Sequence, residues 1–131
     1  MQAGKTHTST LLEWGRAGTK YEGKASNPGI MSDLFARVGG PDQFTVSAQH
    51  MVTINSGHVI IDNAWLWRGD HSVRGLVKNN DNFVETGIEV NGDDIISYGL
   101  AVEHTLGDMT VWNGERGKVY FYQSEYPYDV T

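Results

Sequence analysis

Apolar residues in this chain recur in short alternating runs cut by turn residues, a pattern of strands rather than helices. Residues 54–67, 90–103 and 112–127 share one order: strand, turn, strand, polar corner, strand. The turn is Asn55-Ser56-Gly57 in the first, Asn91-Gly92 in the second and Asn113-Gly114 in the third. With a two-residue insertion after Gly114, Val59, Ile95 and Val119 take equivalent places, 36 and 24 residues apart. A unit of this kind cannot bury its apolar face alone, whereas a stack of such units builds one continuous core. The predicted fold is all-β: a right-handed, single-stranded parallel β-helix of the pectate-lyase-like kind. Residues 10–15, 31–39 and 44–47 add strands, although 31–38 also carries a helical pattern that Gly39-Gly40 cuts short. The expected total is about four coils. Residues 1–131 are expected to form part of one β-helix domain. Neither end offers a polar cap, which predicts further coils in a longer parent chain.

This register sorts the side chains. Ala64, Leu100 and Ser124 should face the core, as should Leu66, Val102 and Tyr126. Asn63, Gly99 and Gln123 fall at a corner, where an amide bonds neighbouring backbone and glycine takes positive φ. The alternating positions face out: Trp65, Ala101 and Glu125 in one column, Trp67, Glu103 and Pro127 in the next. Glu103 and Glu125 then sit on adjacent coils, one strand apart and two residues along, with Cα atoms roughly 8 Å apart. Inverting glycosidases hold their carboxyl groups about 6.5–9.5 Å apart to admit a water. Neighbouring carboxylates also favour retention of a proton by one of them, as a general acid requires. Trp65 and Trp67, joined by Trp112, would offer flat faces to sugar rings. A glutamate on a solenoid exterior is otherwise a solvated charge, but large apolar groups beside it argue for a partner.

Composition narrows the classes. The net charge is −6 and the ten basic residues are scattered, which argues against nucleic acid. No apolar run suits a membrane span, and the N-terminus has no signal-like apolar stretch. Cysteine is absent, so disulfides and thiolate metal sites are excluded. Asp93-Asp94 follows Asn91-Gly92 and reads as a solvated turn before a catalytic pair. Residues 79–82 lack the glycine and bidentate glutamate of a calcium loop. No metal and no cofactor are expected.

The stretches Asp62-Asn63-Ala64-Trp65-Leu66-Trp67-Arg68-Gly69-Asp70-His71, Tyr98-Gly99-Leu100-Ala101-Val102-Glu103-His104 and Gln123-Ser124-Glu125-Tyr126-Pro127-Tyr128 occur in that order. Together they resemble the C-terminal β-helix of glycoside hydrolase family 55, the exo-β-1,3-glucanases or laminarinases. The resemblance covers about residues 29–131. It implies a secreted, two-lobed protein of paired β-helices that inverts the anomeric centre of a β-glucan without metal or cofactor. Glu125 matches the general acid. Glu103 matches a second glutamate of the cleft, placed to hold the acid, the sugar or the water. Part of a water-activating relay would come from an upstream β-helix of the same parent chain, outside these 131 residues, so the chain alone is expected to be inactive. Asp70, His71, His104, Gln123 and Tyr128 would join the tryptophans in binding sugar, with corner hydrogen bonds as the other reading for Asp70, His71 and His104. Gly69 stands where the family has alanine, a change expected to matter little. Two other classes stay open on the residues: a β-helical glycan-binding module that does not cleave, and a polysaccharide lyase using calcium and a base, for which only Arg68 is near.

Overall fold

The computed structural model describes residue 1 and residues 4–19, 21–40, 45–72, 75–78 and 80–129. Its strands are β1 (Thr8–Trp14), β2 (Gly29–Val38), β3 (Ala48–Ile54), β4 (Val59–Arg68), β5 (His71–Ser72), β6 (Gly75–Leu76), β7 (Val84–Val90), β8 (Ile96–Glu103), β9 (Thr110–Trp112) and β10 (Lys118–Glu125). Two parallel sheets, ordered β1-β3-β7-β9 and β2-β4-β8-β10, take the strands alternately. Each coil therefore gives one strand to each sheet, and four coils stack as a parallel β-helix. β5 and β6 form an antiparallel hairpin in the excursion between β4 and β7. Residues 31–38 are strand, not helix: Met31 enters the core before the corner at Asp33, and alternate residues Ala36 and Val38 enter it after. Residues 45–47 precede β3 without joining it, and Phe44 lies outside the described residues.

The strands of the second sheet turn a corner midway. Asp33, Asn63, Gly99 and Phe121 stack there with φ of 51°, 62°, 71° and 62°. Gly99 takes this conformation without the cost of a Cβ. Asn63 is braced by its own amide, which donates to Asp33 Oδ1 at 2.7 Å. The expected corner holds at Asn63 and Gly99, but its third member is Phe121 and not Gln123.

That difference is general in the last coil. Tyr122 pairs with Leu100, Ser124 with Val102 and Glu125 with Glu103, a constant step of 22 residues with no insertion. Val59 and Ile95 are buried in one column as expected, but Val119 lies opposite Ser97 and is exposed. Ser124 and Tyr126 are likewise exposed, whereas Ala64, Leu66, Leu100 and Val102 face the core.

The step of 22 follows from the asparagine turns. Asn113 donates to Asn91 Oδ1 at 2.8 Å, Asn91 to Asn55 Oδ1 at 3.0 Å, and Asn55 to Glu13 Oε1 at 3.0 Å. Asn55 and Asn91 each both donate and accept, so a slipped coil would leave the ladder unpaired. Asn91→Ala removes two of these bonds, and an unfolding free energy lower by about 1–2 kcal/mol is expected in urea titration.

Candidate active site

The outer wall of the second sheet carries two columns beyond the corner. One holds Phe35, Trp65, Ala101 and Gln123; the next holds Arg37, Trp67, Glu103 and Glu125. Glu103 and Glu125 are thus direct register partners, one interstrand spacing of ~4.8 Å apart in backbone, not diagonal at roughly 8 Å.

Each carboxylate has its own support. Trp65 Nε1 donates to Glu103 Oε2 at 2.9 Å. Trp65 and Trp67 stack at 5.6 Å and 16°, Phe35 meets Trp65 edge-on, and the Arg37 guanidinium lies 4.4 Å over the Trp67 ring. Glu125, with 44% of its side chain exposed, accepts from Tyr128 Oη at 2.8 Å and from Gln123 Nε2 at 3.3 Å. The bond to Glu125, the charge on Glu125, burial, and the further charges of Asp70 and Glu103 all push the Tyr128 hydroxyl above its ordinary pKa. Tyr128 therefore remains a donor throughout the neutral range.

His104 lies beneath this cluster. Its backbone N–H donates to the Glu125 carbonyl at 2.8 Å, Nε2 is 3.6 Å from Glu125 Oε2, and its ring packs 4.7 Å from that of Tyr128. At 3% exposure it is buried beneath Glu125 and Tyr128, which favours the supporting hydrogen-bond reading over direct contact with sugar. His71 is exposed, 5.9 Å from the Trp67 ring, with Nδ1 2.8 Å from Asp70 Oδ1. These two residues edge the wall. Trp112 does not: it ends the column Trp14, Ile54, Val90, Trp112 of the other sheet and packs against the core. Pro127, expected beside Glu103 in the column, instead follows the end of β10.

Two residues were not legible as part of the site. Arg68 follows Trp67 on β4 and is completely buried. It grips both carboxylate oxygens of Asp129 at 2.8 Å, and also donates to the carbonyls of Asp81, Asn82 and His104. A fully buried guanidinium cannot serve as a lyase base facing the wall, which removes the one basic residue that reading had. Gly69 also differs from expectation: an alanine Cβ there would meet the Gly39 carbonyl carbon at 2.9 Å and its oxygen at 3.0 Å. Asp81 and Asn82, at the excursion's end, give their carbonyls to Arg68.

A cavity of about 660 Å³ lies elsewhere, at the asparagine-turn corner, lined in part by Asn55, His58, Asn91, Asp94 and Arg116. Asp94 and Arg116 neutralise each other through two 2.8 Å bonds, and the guanidinium holds the Asp94 carboxyl below its usual pKa. Asp93 Oδ1 accepts from the Glu115 N–H. These are the contacts of a braced turn, at the opposite end of β8 from Glu103.

Comparison with known proteins adds the decisive observation. Residues 1–125 match the model of the LAM55 pectate lyase-like domain. The chain belongs to that family. It is 38% identical over 132 aligned residues to an exo-β-1,3-glucanase of Streptomyces sp. SirexAA-E, covering 99% of this chain and 21% of that protein. Two solved structures of sacteLam55A from the same organism superpose on 98% of this chain and 22% of theirs. One has a TM-score of 0.89 at 38% identity; the other, a variant in complex with glucose, has 0.88 at 37%. This LAM55 chain spans about a fifth of the length of the relatives it matches, and the resemblance to glycoside hydrolase family 55 is thereby established.

Proposed function

We propose that this chain supplies the acid-bearing wall of a secreted β-1,3-glucan hydrolase that works from the chain end with inversion. The observation that carries the proposal is Glu125, half-exposed beside Glu103 and a stacked Trp65–Trp67 pair, with its carboxylate oriented by Tyr128 and Gln123. The likeness to an exo-β-1,3-glucanase supports the substrate. A polymer too large to enter cells supports secretion.

In this mechanism Glu125 gives its proton to the glycosidic oxygen as the bond to the anomeric carbon breaks. Water attacks that carbon from the opposite face, and its proton passes to groups outside this chain, on an upstream β-helix. Glu103 is not the base. It is Glu125's direct register partner, and its Oε2 is already engaged by the Trp65 Nε1–H at 2.9 Å, which assigns it to the wall rather than to the water. Its bond to Trp65 instead fixes the indole against which a sugar ring packs.

The same register favours one other reading. Carboxyl groups about 5–5.5 Å apart belong to retaining enzymes, in which Glu103 would be the nucleophile. NMR of the first product from laminarin separates the two: α-glucose is expected, and β-glucose would assign the retaining role to Glu103. Oligosaccharides of mixed length would contradict action from the chain end. Trp65→Ala removes both a stacking face and the donor to Glu103. It should raise KM for laminari-oligosaccharides about tenfold, as read in steady-state kinetics.

A further inference from the structure

The Arg68–Asp129 pair joins three segments that lie outside the sheet strands near Glu125. Arg68 itself ends β4, directly after Trp67. Its Nε and Nη2 take the carbonyl of Asp81, at 3.0 and 2.7 Å, and Nε shares the carbonyl of Asn82, which closes the excursion carrying Asp70 and His71. Nη1 takes the carbonyl of His104 at 3.2 Å, just after β8 and Glu103. The remaining N–H bonds fork onto Asp129, the residue after Tyr128. His104 holds φ of 64°, a left-handed conformation rare for a residue with a Cβ, and the Arg68 bond to its carbonyl helps to hold it there.

We propose that Arg68 and Asp129 are positioning residues that keep the Tyr128 hydroxyl on Glu125 and so aim the acid at the glycosidic oxygen. This rests on Glu125 being the acid. Neither residue touches substrate; both act through Tyr128 and His104. A bidentate carboxylate–guanidinium fork fixes orientation as well as distance. A displacement of the order of 1 Å at such a site is enough to cost a large part of an acid's contribution.

The test uses the protein that carries this chain at its natural length, with laminaritriose and 4-nitrophenyl β-glucoside as substrates. The aryl leaving group departs with little protonation, so it reports everything except the acid. Asp129→Asn should lower kcat on laminaritriose about tenfold or more with KM nearly unchanged, and largely spare the aryl glucoside. Tyr128→Phe should do the same, and the double variant should be no worse than the more damaged single one. Asp129→Glu, which keeps the charge, should recover part of the laminaritriose rate. Equal losses on both substrates, or losses that multiply in the double variant, would overturn the positioning role. Glu125→Gln is run alongside. If it cleaves laminaritriose normally, the acid assignment itself fails; if it is selectively impaired while Asp129→Asn and Tyr128→Phe are not, only the positioning role fails.

Discussion

Glu125→Gln should reduce turnover of laminarin by about 10²–10⁴-fold, the range of a general acid's contribution. The substitution keeps the size and one of the two acceptor oxygens, so one of the donors, Tyr128 or Gln123, keeps its acceptor, and the change lies at an exposed side chain outside the core. What is lost is the proton. The loss should sit in kcat, because the sugar's contacts with Trp65 and Trp67 are untouched and the acid acts only in the transition state. Glu103→Gln should behave differently. It weakens the bond from Trp65 without removing the acid, so KM and kcat should change together and by less. If Glu103→Gln proved the more damaging, and a covalent glycosyl adduct formed on the wild type but not on this variant, the retaining reading would take over.

The largest effect on stability is expected at Asp129. Asp129→Ala leaves a fully buried guanidinium with carbonyl partners alone, and uncompensated buried charges of this kind cost about 3–5 kcal/mol. Its pH dependence has a definite sign. The bonds from Arg68 hold the Asp129 carboxyl below its ordinary pKa in the folded protein. A depressed folded pKa stabilises fully above the unfolded value of ~3.9, and that contribution disappears as pH falls through the folded value. The gap in unfolding free energy between wild type and Asp129→Ala, measured by urea titration, should be constant from neutral pH down to about 5 and narrow below about 4. A gap that widens on acidification would mean that Arg68 does not engage the ionised carboxylate.

The coil architecture and the outward facing of Glu103, Glu125, Trp65 and Trp67 were legible because alternation and the asparagine turns encode them. Inner coils such as β4 and β8 bury apolar residues on one face only, so Ala64, Leu66, Leu100 and Val102 fall into place. The last coil was misread by two residues. Matching Val119 to Ile95 on hydrophobicity overrode the match of Asn113 to Asn91, although an amide ladder fixes register through bonds and an apolar column tolerates a slip. β10 also places Tyr122 and Ser124 where β8 places Leu100 and Val102, so its apolar pattern carried little signal. Trp112 was misplaced because an aromatic that ends a core column has the same local sequence as one on the exterior. Arg68 gave no sign of its role: arginine is rarely buried, and its carboxylate partner lies 61 residues along the chain, beyond any local pattern.

Glu125 as the acid beside a tryptophan wall is tested most directly by a crystal structure of the natural-length Glu125→Gln protein with laminaritriose bound. Sugar rings are expected against Trp65 and Trp67, with the scissile glycosidic oxygen within about 3.2 Å of the side chain at position 125. Oligosaccharide seated instead in the asparagine-turn cavity near Asp94 and Arg116, with the tryptophan wall bare, would contradict that assignment.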